Sequence, residues 1–380
     1  MNILFLDQSG KLGGAELSLL DLAKFYQKNA LVGLFADGAF KQRLEQHQIP
    51  VKILTQQSIN VSKDSNLIQI LRNSFSIIPL IINITKVAQN YDVIYANTQK
   101  AFVMGAIASF LSNRPLVYHL RDIISEDHFS ATNRWIIINL ANQFATLVIA
   151  NSKATKRSFI EAGGRADLTK VVYNGFEVNH YSNSSTERER VRKELGLEKQ
   201  LIVGHFSRLS PWKGQHILLE ALANCPDNIT AIFVGDALFG EQEYVDKLHD
   251  KVAELGLEKR VKFLGFQSDV VSFMSACDLI THTSTAPEPF GRVIIEAMLC
   301  QRPVIAAAAG GVIELVKHEQ TGWLVQPGNV QQLTEAIINC WQNPQLATQV
   351  AQQARQEADE RFQLQQIQQQ IDQLLHQILS

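Results

Sequence analysis

The 380 residues include only four cysteines, ten prolines and four tryptophans, and each scarcity excludes something. Cys225, Cys277, Cys300 and Cys340 all fall in the second half, mostly inside apolar segments, with no C-x-x-C pair. They read as reduced core residues, not as a disulfide framework or a zinc site. No apolar run reaches the roughly 18 residues that a membrane span needs. Ile77 to Ile84 is broken by Pro79 and Asn83, and Ala101 to Leu111 is short, so both read as core helices, with a surface-docking helix as the alternative. The first residues, N-I-L-F-L-D, start a strand without a cationic segment and an apolar segment before it, so no signal peptide is expected and a cytoplasmic location is. No Lys/Arg run of the nucleic-acid-binding kind occurs, and no Asp-x-Asp offers carboxylates to a divalent metal. A net charge of −2 and 46% hydrophobic residues exclude disordered, collagen-like and coiled-coil classes.

What is present is enough for two domains. Charge divides unevenly: residues 1–178 carry 18 Lys/Arg against 13 Asp/Glu, residues 179–380 carry 17 against 24. The basic excess of the front half could favour an anionic surface, but it is spread out, and an ordinary solvated face accounts for it better. Strands are expected at Asn2–Asp7, Leu31–Ala36, Val51–Leu54, Asp92–Asn97, Pro115–Leu120, Ala145–Ala150 and Lys170–Tyr173, with helical patterns between most of them. That alternation implies a doubly wound parallel sheet. A polar stretch, Asn179–Glu189, reads as a linker. The pattern restarts with strands at Leu201–Phe206, Thr230–Val234, Arg260–Phe263, Asp278–His282, Pro303–Ala307 and Gly322–Val325. The final segment, Phe362–Leu379, carries an apolar stripe at Leu364, Ile367, Ile371, Leu374, Leu375 and Ile378 and is expected to return to the first domain. The expected division is 1–180 with 362–380, and 181–361.

Parallel sheets bind ligands beyond the carboxyl ends of their strands, so a site is expected in the strand-to-helix loops. The stretch from His282, H-T-S-T-A-P-E-P-F-G-R-V-I-I-E-A-M, places Glu288 and Glu296 eight positions apart. Pro287, Pro289 and Gly291 forbid a helix through Glu288, so the helix begins near Phe290 to Arg292, with its first amides open to an anion. Glu296 lies among Val293, Ile294, Ile295, Ala297, Met298 and Leu299, where a carboxylate needs hydrogen-bond donors. Ribose hydroxyls would serve; so would a distant Arg or Lys. R-L-S-P-W-K-G puts Arg208 and Lys213 on a turn suited to a diphosphate, or simply on the surface. G-K-L-G-G-A-E, Gly10 to Glu16, is a weaker glycine loop and lacks the G-x-G-x-x-G spacing of a dinucleotide site. His119 ends an apolar strand, as do His205 and His282, which read as structural.

Together, G-G-A-E at 13–16, His119, R-L-S-P-W-K-G at 208–214, F-L-G-F at 263–266 and E-P-F-G-R-V-I-I-E-A resemble a retaining glycosyltransferase of family 4, of the bacterial polysaccharide-biosynthesis type. The resemblance implies the GT-B fold: two facing Rossmann-like doubly wound parallel-sheet domains, with a C-terminal helix crossing back to the first. It implies that the N-terminal domain takes a glycan or lipid-linked acceptor and the C-terminal domain a nucleotide-sugar donor, a UDP-sugar and best UDP-glucose. Carried over, Arg208, Lys213 and Gly14 hold the donor diphosphate; Glu288, Pro289, Phe290 and Gly291 hold the sugar; Phe266, Val293 and Glu296 hold the nucleoside. His119 and Glu288 stand at the chemistry. No metal or cofactor is expected, nor a nucleic-acid partner, and peripheral membrane contact through the N-terminal domain fits an envelope or exopolysaccharide role. A GT-B epimerase or a catalytically silent nucleotide-sugar-binding protein is the alternative.

Overall fold

The computed structural model describes residues 1–55, 74–181, 185–238 and 240–380, the side chains of 74–76 excepted. Part of the expected linker, residues 182–184, lies outside the described residues. The chain forms two compact units, Met1–Gly175 with Leu364–Ser380, and Phe176–Gln363.

The first unit is built on seven strands: β1 Ile3–Asp7, β2 Ala30–Leu34, β3 Val51–Ile53, β4 Val93–Ala96, β5 Leu116–Leu120, β6 Ala145–Ala150 and β7 Thr169–Val171. The second has six: β8 Leu201–Phe206, β9 Ile229–Val234, β10 Val261–Phe263, β11 Leu279–His282, β12 Val304–Ala307 and β13 Trp323–Val325. Every expected strand is present, each boundary within two residues of the reading above. The orders are β3-β2-β1-β4-β5-β6-β7 and β10-β9-β8-β11-β12-β13, and all pairings are parallel, as in Ile3↔Ala30, Ile3↔Val93 and Leu279↔Val203. Central strands such as I-L-F-L-D are buried along their whole length, because helices cover both faces of the sheet.

In each unit the order reverses once, between β1 and β4 and between β8 and β11. Crossover helices leave these strand pairs toward opposite faces, which opens a crevice at their carboxyl ends. The loops carrying Gly10–Gly14, Arg208–Gly214 and Thr283–Gly291 all start there.

The apolar stripe of the terminal segment forms a helix over Leu364–Leu379 that buries Ile367, Ile371 and Leu375 within the first unit. It lies beside the helix Gly14–Tyr26: Gln368 Nε2 donates to the Asp21 carbonyl at 2.7 Å and Tyr26 Oη to Asp372 Oδ1 at 3.0 Å. All four cysteines are buried free thiols. Among the described residues no helix is long and apolar enough to cross a membrane.

Candidate active site

In the second unit, the turn after β8 and the loop after β11 meet at Glu288. Lys213 Nζ lies 2.6 Å from Glu288 Oε2, and His282 Nε2 lies 3.1 Å from the same oxygen. Ser284 Oγ donates to it at 3.3 Å. Burial alone would raise the Glu288 carboxyl, but the Lys213 ammonium and the His282 hydrogen bond outweigh it and hold the group well below the usual carboxylate range. Glu288 is therefore an anion at any physiological pH, and Lys213 is positioned against it and over the Trp212 ring, 3.9 Å from the centroid.

Two backbone approaches fix this geometry. Gly214 has φ +70° and packs so close to the Thr283 carbonyl that a Cβ there would lie 2.1 Å from the oxygen. Thr283 Oγ1 also reaches the carbonyls of Lys213 and Gly214 at 3.0 and 2.8 Å and takes a hydrogen bond from His205 Nε2 at 2.9 Å. A hydroxyl that donates to carbonyls must accept from the imidazole, so His205 carries its proton on Nε2. Burial, with His282 and Lys213 nearby, pushes the His205 imidazole down to about 3. On the other side, the Gly311 amide donates to the Glu288 carbonyl at 2.7 Å, and Gly310, at φ +66°, leaves no room for a side chain beneath that carbonyl.

Beyond Glu288 the helix begins at Arg292, inside the expected range, and Glu296 sits in its second turn. Glu296 has a local partner: Arg292 Nη2 lies 3.4 Å from Glu296 Oε1, with the guanidinium 4.5 Å from the Phe176 ring centroid. Arg208 Nε lies 3.3 Å from Glu241 Oε2, and Ser210 Oγ donates to the other oxygen of that carboxylate. Phe290 is buried and Pro289, Gly291 and Val293 line the same loop and first helical turn, while Phe266 is 60% exposed on the loop after β10. His282, read from the sequence as structural, is bonded directly to Glu288. Its place at a strand's carboxyl end, six residues before Glu288, was the available signal.

The first unit gathers a buried polar network at the ends of β1, β4 and β5. Asn97 Nδ2 donates to Asp7 Oδ2 at 2.6 Å, and Arg121 donates from Nε to Asn97 Oδ1 at 2.6 Å and from Nη1 to Asn174 Oδ1 at 2.9 Å. His119 Nδ1 lies 3.3 Å from Arg121 Nη2 and 2.5 Å from Tyr95 Oη. A guanidinium can only donate, so Nδ1 accepts and the His119 proton is on Nε2. That Nε2, on a ring 3% exposed, has no hydrogen-bond partner among the described residues. Burial, then Arg121, holds the imidazole well below its ordinary value and hence neutral. Gly14 opens the helix that follows the glycine loop. Glu16, in its first turn, is pushed up by burial and by the charge of Asp7, while its carboxylate accepts from the Gly13 amide as an N-terminal cap. The sequence reading passed over Asp7, Asn97 and Arg121 and quoted Glu16 only as the end of its glycine motif, without a role.

Residues 12–180 match the family described as Glycosyltransferase Family 4, and residues 187–357 that described as Glycosyl transferases group 1. The crystal structure of Anabaena Alr3699/HepE in complex with UDP-glucose is 56% identical, covers 99% of this chain and 100% of that one, and superposes with a TM-score of 0.93. Bacillus subtilis YtcC, a putative glycosyltransferase, is 30% identical over 48% of each chain, so the match spans about half of that relative. Sucrose-phosphate synthase from Thermosynechococcus elongatus, 20% identical with a TM-score of 0.85 over 99% of this chain and 98% of its own, shares the fold. Near-complete coverage at such identity, with both halves matched in order, means that the chain belongs to glycosyltransferase family 4, with its GT-B fold.

Proposed function

We propose that the protein transfers glucose from UDP-glucose to a glycan or lipid-linked acceptor in envelope or exopolysaccharide synthesis, with retention at the anomeric carbon and without a metal. The observation that carries the reading is the Lys213–Glu288–His282 cluster at the carboxyl ends of β8 and β11, with Arg208, paired to Glu241, on the same turn after β8 as Lys213. The choice of donor leans on the HepE complexes with UDP-glucose and with UDP and glucose. On this reading Arg208 and Lys213 receive the diphosphate as negative charge builds on the leaving group, which is the interaction that accelerates the step. Glu288 then accepts from sugar hydroxyls, the Phe290 and Gly291 amides lie nearby with Pro289, and Glu296 accepts from ribose with Val293 and Phe266 near the base. Gly14 contributes to the phosphates. The His119 Nε2–H is a hydrogen-bond donor held in one direction, suited to orient a hydroxyl or to stabilise charge, not to abstract a proton. The acceptor's proton passes to the departing phosphate oxygen as the new glycosidic bond forms on the face that the leaving group vacates.

Thermal shift against a panel of nucleotide sugars, followed by turnover of the best ligand with and without a chelator, tests the reading. UDP-glucose at a hundredfold excess over its Kd stabilises by about 2.7 kcal/mol, and glucose leaves UDP at a rate that a chelator does not change. Stabilisation by another nucleotide sugar alone would replace the donor. Tight binding with no transfer or hydrolysis would make the protein a binder.

A further inference from the structure

Arg208 and Lys213, the two cations read as holding the diphosphate, are each matched by a carboxylate, and the two matches differ. Lys213 faces Glu288, whose Oε2 also takes His282 and Ser284, on the loop assigned to the sugar. Arg208 faces Glu241, which no motif in the sequence marked and which the transfer reading leaves without a task. Arg208 Nε lies 3.3 Å from Glu241 Oε2, with the two side chains only 20% and 23% exposed.

Two ordinary explanations of Glu241 fail. It immediately precedes the helix Gln242–Glu254, but its side chain makes no capping hydrogen bond to that helix. Nor is it a loose surface pair. Ser210 Oγ donates to its Oε1, while Oε2 is buried and has no hydrogen-bond partner among the described residues, so the charge on Arg208 is what balances it. The carboxylate is also fixed in place. Leu209 N donates to the Asp236 carbonyl at 3.1 Å, Tyr244 Oη meets His216 Nδ1 at 2.9 Å and Lys251 Nζ lies 2.7 Å from Glu220 Oε1. The loop after β9 and its helix are thereby bound to the turn after β8 and to the helix Gln215–Ala223. An anion is thus built against the guanidinium, where a diphosphate would bring more negative charge.

Such an anion weakens donor and product alike in sign but not in size. In UDP-glucose both phosphates are diesters, with one charge each. Free UDP ends in a monoester that ionises a second time near about pH 6, so at neutral pH it carries nearly one charge more. A fixed carboxylate opposes that additional charge, and a repulsive element of this kind discriminates between two otherwise similar ligands.

We propose that Glu241 is a specificity-determining residue that disfavours the spent nucleotide relative to the donor, and so hastens exchange of UDP for UDP-glucose after transfer. This rests on the UDP-sugar reading above and on no particular acceptor.

The test is calorimetric titration of the whole chain with UDP and with UDP-glucose at neutral pH, together with inhibition of UDP-glucose hydrolysis by UDP. Glu241→Gln keeps the shape: its amide oxygen can face Arg208 while its NH2 donates to Ser210 Oγ, since a hydroxyl accepts as well as donates. In this variant UDP should bind on the order of tenfold more tightly, UDP-glucose by a smaller factor, and UDP should inhibit at correspondingly lower concentration. Glu241→Asp, which keeps the charge, should keep the wild-type ratio of the two constants, and E241A should repeat E241Q if the amide is not accommodated. Equal tightening of both ligands, no tightening, or weaker binding, which would make Glu241 a prop for Arg208, overturns the proposal. Wild type that binds neither ligand removes the donor reading and this assignment with it, whereas wild type that binds both, with a ratio unaltered in E241Q, removes this assignment alone.

Discussion

Lys213 is the side chain on which most of the proposed chemistry rests. Lys213→Ala removes the cation 2.6 Å from Glu288 and the charge offered to the leaving diphosphate. Turnover should fall on the order of 10²–10³-fold, read as kcat with UDP-glucose. Folding should weaken too, and its pH dependence identifies the cause. The Glu288 carboxyl is held below its unfolded value near 4.5, so its stabilisation is complete above that pH and disappears as pH falls through the folded value. The stability deficit of Lys213→Ala, measured by urea denaturation, should thus be larger at pH 7 than at pH 3. His205 runs in the same direction for another reason. Its folded pKa of about 3 lies below the ordinary 6.5, so it stabilises the neutral form above 6.5 and costs stability as pH falls below that value. His205→Asn should flatten the loss of stability between about pH 6 and 4 by about 1.4 kcal/mol per pH unit. At this scale the sequence displayed Arg208, Lys213, Glu288 and Glu296, because polar groups among glycines, prolines and apolar runs call for an explanation. It hid His282, which in a list of residues looks like any strand-end histidine.

Among the elements, the turn Pro211–Lys213 and the loop after β11 behave as one piece, because Thr283 clasps the carbonyls of Lys213 and Gly214. Thr283→Val keeps the shape and removes the donor, leaving carbonyls underbonded at a cost of about 1–3 kcal/mol. The expected result is a higher KM for the donor with an unchanged far-ultraviolet spectrum. Gly214→Ala should be worse, since its Cβ would meet the Thr283 carbonyl at 2.1 Å in a left-handed backbone. Both stability and turnover should drop, the latter far more than a surface Gly→Ala change would explain. All thirteen strands among the described residues could be read from the chain, because buried parallel strands are continuous β-branched runs bounded by turn residues. The Asp7–Asn97–Arg121–Asn174 network could not. Its members are up to 167 positions apart, and only the fold brings them together, the order β1-β4-β5 for Asp7, Asn97 and Arg121 and the segment after β7 for Asn174.

For the molecule as a whole, the last helix is the informative part. Its apolar face closes the first unit, so deletion of residues 364–380 should uncover Phe5, Leu19 and Val93 and leave that unit prone to aggregation. The same deletion leaves the second unit whole, and dye binding with limited proteolysis should find Phe176–Gln363 as the protected fragment. The stripe at Ile367, Ile371 and Leu375 announced a helix that must be covered, and the expectation that it returns to the first domain, which the resemblance also implies, matches its place in the first unit. The second unit is one uninterrupted segment, whereas the first is split around it. On the ribosome, the lobe that starts earlier therefore finishes later: it must wait with a raw flank until everything between has been made and the closing helix emerges.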